Sequence, residues 1–485
     1  MRIACRIAAI RPSAARYPAA RPHGSQLQCS QQFGSVLLLL SGANFLAELP
    51  RSANSPGDDV PRDRPPSSQE EMGLSGNAEP DSGTPAIGDL ANADSSQKDQ
   101  TTPTGNDVPE PASTAAKQAD FHRYPFYSPR FWHGMRPAAW WRLLKEGRFR
   151  VHPTRWPMMA GISLATPFNT SLALTQQIVF RRKLADAELH GPPVFIVGHW
   201  RSGTTLLHEL MVRDERLSSP STFQCFAPSH FHVSEWFFRR FAGWLLPGKR
   251  PMDNMAAGWD RPQEDEFALM NLGNPSPYRR IAFPNEPPAD TNFLDFSGVP
   301  ESAINEWLSS LRSFLLSVSA ATGRPLIIKS PTHTGRVAWL AREFPDAKFI
   351  HITRDPRALF PSTCRLWRSL DDVQALQKPN HEQNESYVIE CLQRMYAAFH
   401  QQRDEIDASR LIDIRYEDLT ADPVATLRRI YETLRISDFE SVQPTIQSWV
   451  DAEHRGYTRN KHQLPPDKEA LISDAWKEYF ERYGY

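Results

Sequence analysis

The chain has 485 residues, enough for one large domain with extensions. Lys and Arg number 55 against 56 Asp and Glu, a formal net charge of −1, which excludes a general nucleic-acid binder and makes any anion site a local one. The 5 cysteines are scattered, with no C-x-x-C and no metal-type spacing, so a reduced, cytosol-facing compartment without a bound metal is expected.

Residues 1–30 are rich in Arg and lack Asp and Glu, as in a transit peptide, the n-region of a signal, or a chain whose start codon lies further on. The apolar run from Phe33 is broken by Gly, Ser, Asn and Ala and stops at Pro50, short of the roughly 20 apolar residues that a bilayer-crossing helix needs. Residues 51–118 are Ser-, Pro-, Asp- and Gly-rich with few aromatics. Such a segment cannot bury enough apolar surface to offset its ordering entropy, so 1–118 is expected to be disordered, with targeting a role for its first part. Composition changes abruptly at "FHRYPFYSPRFWHGMRPAAWWRLLKEGRF", from Phe121. A helical extension over 119–190, packed on the main domain, is expected there; its Trp and Arg together also suit a membrane surface or a lipid acceptor.

From residue 191 to 485 the pattern alternates between β and α. "PVFIVG" is an all-apolar run of the kind buried on both faces of a parallel sheet, and "TTLLHELMVRD" follows with helical spacing. "PLIIKS" (325–330), helical "GRVAWLAREF", the strand "AKFIHITRD" (347–355), a helix through "PRALFPSTCRLW" bent at Pro361, the strand "LIDIRYEDL" and the helix "PVATLRRIYETL" continue the series. These units predict an α/β, P-loop-like three-layer fold, with helices flanking a central parallel sheet and ligands beyond the carboxyl ends of its strands.

The first such end carries "GHWRSGTT", from Gly198 to Thr205. Its spacing is that of the triphosphate loop G-x-x-x-x-G-K-[ST], except that Thr204 stands where the lysine belongs. A strand ending at Val197, a turn with Gly198 and Gly203, and a helix from Thr204 make an anion site, because a helix N-terminus offers unpaired N–H groups and partial positive charge. Arg201, Ser202, Thr204 and Thr205 add donors. In triphosphate enzymes the lysine reaches the β- and γ-phosphates and the next Ser/Thr holds Mg²⁺. A ligand with one 5′-phosphate and a singly charged transferable group, such as adenylyl sulfate with a 3′-phosphate, needs neither.

"FIVGHWRSGTTLL" resembles the 5′-phosphosulfate loop of the sulfotransferase family, with Arg201 in the basic position before S-G-T-T. "HITRDPRALFPS" is similar to the family's 3′-phosphate motif, a strand-end Arg followed eight residues later by Ser, here Arg354 and Ser362 at the helix start. Arg354 offers the planar donor fork suited to a phosphate. The resemblance runs from Phe121 to the C-terminus and is nearest to a bacterial branch with "PQEDEFAL" and "KSPTH" segments. It implies 3′-phosphoadenosine 5′-phosphosulfate as co-substrate, no metal, and sulfuryl transfer to a hydroxyl or amine. The cytosolic enzymes' C-terminal R-K-G-x-x-G-D-W-K signature is absent; Tyr457, Arg459 and Lys461 of "RGYTRNKHQLPP" are the expected substitutes closing over the nucleotide.

Sulfuryl transfer needs a deprotonated acceptor, in-line placement and positive charge where the leaving phosphate develops its negative charge. Arg201 and Lys329, at the end of "PLIIK", are the expected charge stabilisers. Two groups compete for the base. Glu264 lies in "WDRPQEDEFALM", where the resemblance places a glutamate, although its acids also suit an ordinary helix start. His333 lies four residues past Lys329, and His199 and His208 are minor candidates. The rival readings are a P-loop kinase and a non-catalytic nucleotide-binding scaffold. The acceptor stays open among small molecules, lipids and carbohydrates, with the aromatics of "STFQCFAPSHFHVSEWFFRRFAGWLL" either lining its pocket or packing on one another.

A chain that begins near Gln118 should fold and bind adenosine 3′,5′-bisphosphate as the full chain does, since none of these motifs lies before it. Titration calorimetry on the two chains checks this, and loss of folding in the shorter one would overturn the boundary.

Overall fold

A computed structural model describes residues 124–125, 127–246, 258–453 and 464–485. The expectations for residues 1–118 and for Tyr457, Arg459 and Lys461 lie outside the described residues. Four short strands carry the architecture: β1 (Val194–Val197), β2 (Ile327–Lys329), β3 (Lys348–Thr353) and β4 (Leu411–Arg415). All pair in parallel in the order β2-β1-β3-β4, with Val194 opposite Ile327 on one side and Lys348 on the other, and Phe349 opposite Leu411.

Helices α1 (Pro137–Glu146), α2 (Trp156–Val179) and α3 (Arg181–Ala185) precede the sheet. After β1 comes α4 (Thr204–Met211). The crossover to β2 holds α5 (Thr222–Phe226), α6 (Phe231–Phe241), α7 (Asp265–Leu272) and α8 (Glu301–Thr322). The next connections carry α9 (Val337–Glu343), then α10 (Pro356–Gln374) and α11 (Asn384–Gln402). Beyond β4 lie α12 (Tyr416–Ala421), α13 (Pro423–Leu434), α14 (Gln443–Glu453), α15 (Pro466–Ala475) and α16 (Lys477–Tyr483).

Alternate side chains of a strand point to opposite faces, and here each face has its own core. Phe195, Val197, Ile328 and Phe349 pack with Leu311 of α8, Trp367 of α10 and Met395 of α11. Val194, Ile196, Ile327 and Ile350 pack with Leu207 of α4, Ile430 of α13 and Ile446 of α14. The result is the three-layer arrangement that the alternation predicts. Segment 131–146 joins the first core: Trp132 is fully buried, and its Nε1–H donates to the Gln374 carbonyl at 2.8 Å.

Three local differences from the sequence expectation have physical causes. "YEDL" leaves the strand after Arg415 and opens α12, with Glu417 and Asp418 in the first turn where carboxylates suit the helix dipole. "PTHTGR" is a 3₁₀ turn (Pro331–Arg336) before α9, because its side chains are held by buried carboxylates described below. Ser362 is in the second turn of α10 rather than at its start. Asp355 caps that helix by accepting from the Arg357 N–H, and Pro356 suits its first position, so the helix begins earlier.

Candidate active site

In the order β2-β1-β3-β4 the chain reverses direction across the sheet between β1 and β3, and the crevice above that point is where such sheets bind ligands. The loop after β1 and the Arg that follows β3 are its two walls. They touch. Arg354 Nη1 donates to the Arg201 carbonyl at 2.8 Å, and Arg201 Nε donates to Ser362 Oγ at 3.0 Å. The Arg354 guanidinium lies 4.3 Å from the centroid of the Tyr416 ring, which fixes its plane.

Local packing dictates the loop's shape. Gly203 ends it with φ +105°, and a Cβ there would lie 2.4 Å from the Tyr416 ring. A Cβ on Gly198 would lie 2.4 Å from the Ile352 carbonyl oxygen. Arg201 itself takes a left-handed φ of 68°, uncommon for a non-Gly residue and a feature that clusters at ligand clamps. The Gly198 N–H donates to Thr334 Oγ1 at 2.8 Å, tying the loop to the segment after β2. The first N–H groups of α4, at Thr204, Thr205 and Leu206, have no acceptor within the helix. Beside them, buried Ser202 Oγ has no hydrogen-bond partner among the described residues. An orphan hydroxyl next to free helix N–H groups fits a bound phosphate oxygen.

On the β2 side, the acids Glu264, Asp265 and Glu266 face three basic residues. Lys329 Nζ lies 2.5 Å from Glu264 Oε1, His333 Nε2 2.8 Å from Asp265 Oδ2, and Arg336 Nη1 2.7 Å from Glu266 Oε2. The 3₁₀ turn stacks positions three apart, so His333 and Arg336 both present to the start of α7. Ser330 Oγ also donates to Asp265 Oδ1 at 2.5 Å, and Thr332 Oγ1 to Glu266 Oε2 at 2.8 Å. Glu264 is the N-cap residue of α7, yet its side chain caps nothing. One oxygen takes Lys329; the other accepts from the Tyr278 hydroxyl, which in turn accepts from Trp200 Nε1 at 2.7 Å. A single polar chain thus runs from Trp200, inside the phosphate-type loop, through Tyr278 and Glu264 to Lys329.

The histidines are placed differently. His333 is fully buried, edge-on to Phe195 and Trp307, with one ring nitrogen on Asp265. Burial pushes His199 down to about 3, and burial together with the Lys329 charge does the same to His208. Both rings are poor bases at neutral pH. Burial also raises the Tyr278 hydroxyl well above its ordinary value, with the Glu264 charge adding to it, so this phenol stays a hydrogen-bond donor. Tyr278 lies in no motif, and Trp200 lies in the loop motif without a role assigned from sequence; only the fold joins them to Glu264.

The chain belongs to the sulfotransferase family, whose model matches residues 192–441. It is an enzyme of sulfuryl transfer. It is 39% identical over 363 residues, 75% of this chain and 93% of the relative, to omega-hydroxy-beta-dihydromenaquinone-9 sulfotransferase Stf3 of Mycobacterium bovis, with the same figures for the Mycobacterium tuberculosis protein. Among solved structures, sulfotransferase STF9 from Mycobacterium avium aligns over 72% of this chain and 96% of its own, at 17% identity and a TM-score of 0.47. Mouse sulfotransferase SULT7A1 complexed with PAP aligns over 62% and 89%, at 11% identity and a TM-score of 0.32.

Burial raises the Asp265 carboxyl, but the His333 charge and hydrogen bonds from His333 and Ser330 outweigh it and hold the group below its ordinary value. A carboxylate depressed by folding stabilises the fold above its unfolded pKa of about 3.9, and that stability is lost as pH falls through the folded value. Asp265→Asn should cost about 3–5 kcal/mol near neutral pH, as expected when a buried pair loses one partner. It should also flatten the acid limb of the stability curve. Urea denaturation across an acid-to-neutral pH series measures both, and an unchanged acid limb would remove Asp265 from this role.

Proposed function

We propose that this enzyme moves the sulfuryl group of 3′-phosphoadenosine 5′-phosphosulfate onto the hydroxyl of an apolar lipid acceptor, with Glu264 as base. The observation that carries the base assignment is the Glu264–Lys329 pair, 2.5 Å apart at the end of β2 and joined through Tyr278 to the loop at Trp200. Support for the donor comes from the orphan Ser202 hydroxyl, the open N-terminus of α4 and the meeting of Arg354, Arg201 and Ser362. Support for the acceptor class comes from the relative whose name gives it a hydroxylated dihydromenaquinone.

In this reading Ser202, Thr204, Thr205 and the Gly203–Leu206 backbone hold the 5′-phosphosulfate. Arg354 and Ser362 hold the 3′-phosphate, and Arg201 bridges the two. The acceptor O–H gives its proton to Glu264 as its oxygen forms the new O–S bond. The S–O bond to the 5′-phosphate breaks, and its electron pair leaves on the phosphate oxygen. Once protonated, Glu264 loses its charge and its hold on Lys329. The ammonium then becomes available to the leaving oxygen at the moment negative charge develops there. Trp200 and Tyr278 orient Glu264 throughout, and buried His333 positions Asp265 beside it.

Glu264→Gln should lower kcat by at least about 100-fold, the low end for loss of a general base, with adenosine 3′,5′-bisphosphate binding nearly unchanged. Near-normal turnover in that variant, with His333→Asn inactive, would reverse the assignment. Arg354→Ala removes a charge-assisted contact of about 1.5–3 kcal/mol. Affinity for the 3′,5′-bisphosphate should then fall about 10- to 150-fold, while adenosine 5′-phosphate binding holds. Equal losses for both nucleotides in calorimetry would show that Arg354 does not read the 3′-phosphate.

A further inference from the structure

Helix α2 is inside out. Its 24 residues contain no Asp, Glu, Lys or Arg, yet the side it buries includes Thr166, Asn169 and Gln176. Its apolar side faces outward: Trp156, Leu164, Phe168, Leu174 and Ile178 are all more than half exposed, with Leu164 at 78% and Ile178 at 77%. At 100° per residue these five fall on one continuous stripe along a helix about 36 Å long. The buried polar groups are occupied. Asn169 Nδ2 donates to the carbonyls of His133 and Met135, and Gln176 Oε1 accepts from the His232 N–H at 2.9 Å. The orientation is therefore held by hydrogen bonds.

The exposed apolar surface continues onto α6, whose start is joined to the end of α2 by that Gln176 bond. Trp236, Phe237 and Phe241 of α6 are exposed, and so is Trp244 just beyond it. Cations rim this surface. Arg181, Arg182 and Lys183 follow α2, and Arg239 and Arg240 close α6, all exposed. A groove between these elements is lined by Lys183, Arg239, Arg240, Trp236 and Phe180. From Gly147 to Ala185 the chain has six Lys or Arg residues and no acidic one. Glu235, the acid of α6, also lines this groove; it accepts from Ser221 and Gln224 and lies 3.8 Å from Arg239, which leaves Lys183, Arg240, Arg181 and Arg182 as the cations in excess.

We propose that α2 and α6 form a membrane-docking face that lies flat in the interface of an anionic bilayer. Apolar side chains flanked by Trp and backed by Arg and Lys match the acyl boundary and the headgroups together. Among the described residues no helix is long and apolar enough to cross a membrane, so the helix lies along the bilayer. A second copy of the chain fits less well, because a two-fold contact through this face would set its cationic rim against itself. The face also leads to the chemistry. Trp259 Nε1 donates to the Ala242 carbonyl at the end of α6, and the Thr222 N–H to the Arg261 carbonyl at 2.8 Å, three residues before Glu264. Docking here would deliver a hydroxyl carried by a membrane lipid to the base without extracting the lipid. The functional sense of the face rests on the lipid-acceptor reading; the docking does not.

The test is co-sedimentation of the full chain with vesicles of phosphatidylcholine alone or mixed with phosphatidylglycerol. The wild type should sediment with the anionic vesicles and much less with the neutral ones. Leu164→Glu/Phe168→Glu should lower that partition by at least about tenfold, because charges now sit where acyl chains must. Arg181→Glu/Arg182→Glu should abolish the preference for anionic vesicles. Both variants should keep the melting temperature and adenosine 3′,5′-bisphosphate binding, since these positions are exposed. Absence of binding to anionic vesicles, or equal binding by the variants, would overturn the proposal. So would light scattering that shows a dimer split by Leu164→Glu/Phe168→Glu. If vesicle binding holds but no long-chain alcohol is sulfated in detergent, the docking stands and the acceptor reading falls.

Discussion

Everything at the carboxyl end of β2 hangs on the registration of three consecutive acids against three basic residues. Glu264, Asp265 and Glu266 open α7, and Lys329, His333 and Arg336 close β2 and the turn after it. Charges this deep are costly unless paired and hydrogen-bonded, and removing one partner of such a pair typically costs about 3–5 kcal/mol. Two of the pairs, Asp265–His333 and Glu266–Arg336, are wholly buried and further bonded by Ser330 and Thr332. A slip of one residue would leave ions unpaired, so these two pairs fix where the third must lie. Glu264–Lys329 is the outermost, and Glu264 keeps a little solvent contact at 9% exposure. Two wholly buried pairs thus support one that keeps some contact with solvent.

The loop after β1 obeys a second constraint, which is space. Gly198 lies against the Ile352 carbonyl and Gly203 against the Tyr416 ring, so the backbone must pass where no side chain fits. That close passage sets Arg201 in a left-handed conformation, with its carbonyl toward Arg354 and its guanidinium toward Ser362. The missing lysine and the presence of Arg201 are two sides of one choice. Positive charge is carried inside the loop, near the α4 N-terminus, Arg354 and Ser362, instead of at the first position of the helix.

Away from the sheet, the stability of α2 comes from an unusual division of labour. Its inner face holds by hydrogen bonds that Asn169 donates and Gln176 accepts, as well as by packing at Ile162 and Ala173, which leaves the larger apolar side chains outside. Helices of soluble domains usually divide the other way, with polar residues outward. The α5–α6 region then ties this outer surface to the segment that carries Glu264 by a short structural path.

The sequence by itself determined the four strands, their parallel connection, the loop at Gly198–Thr205 and the family. Each rests on local signals: apolar runs, strand-to-helix turns and fixed spacings along the chain. It also brought Arg354 and Ser362 into view, because the spacing of eight is a property of one strand and the helix after it. Only the tertiary structure shows that His333 is wholly buried while Glu264 keeps a trace of solvent contact, since burial depends on what packs from elsewhere, here Phe195 and Trp307 around the imidazole. The link from Trp200 through Tyr278 likewise became visible only when a second 3₁₀ turn, Pro277–Ala282, brought a phenol between indole and carboxylate. The same holds for α2. Periodicity shows that a helix has two faces, but which face turns inward is settled by the partners its polar groups find, and those lie in other segments of the chain.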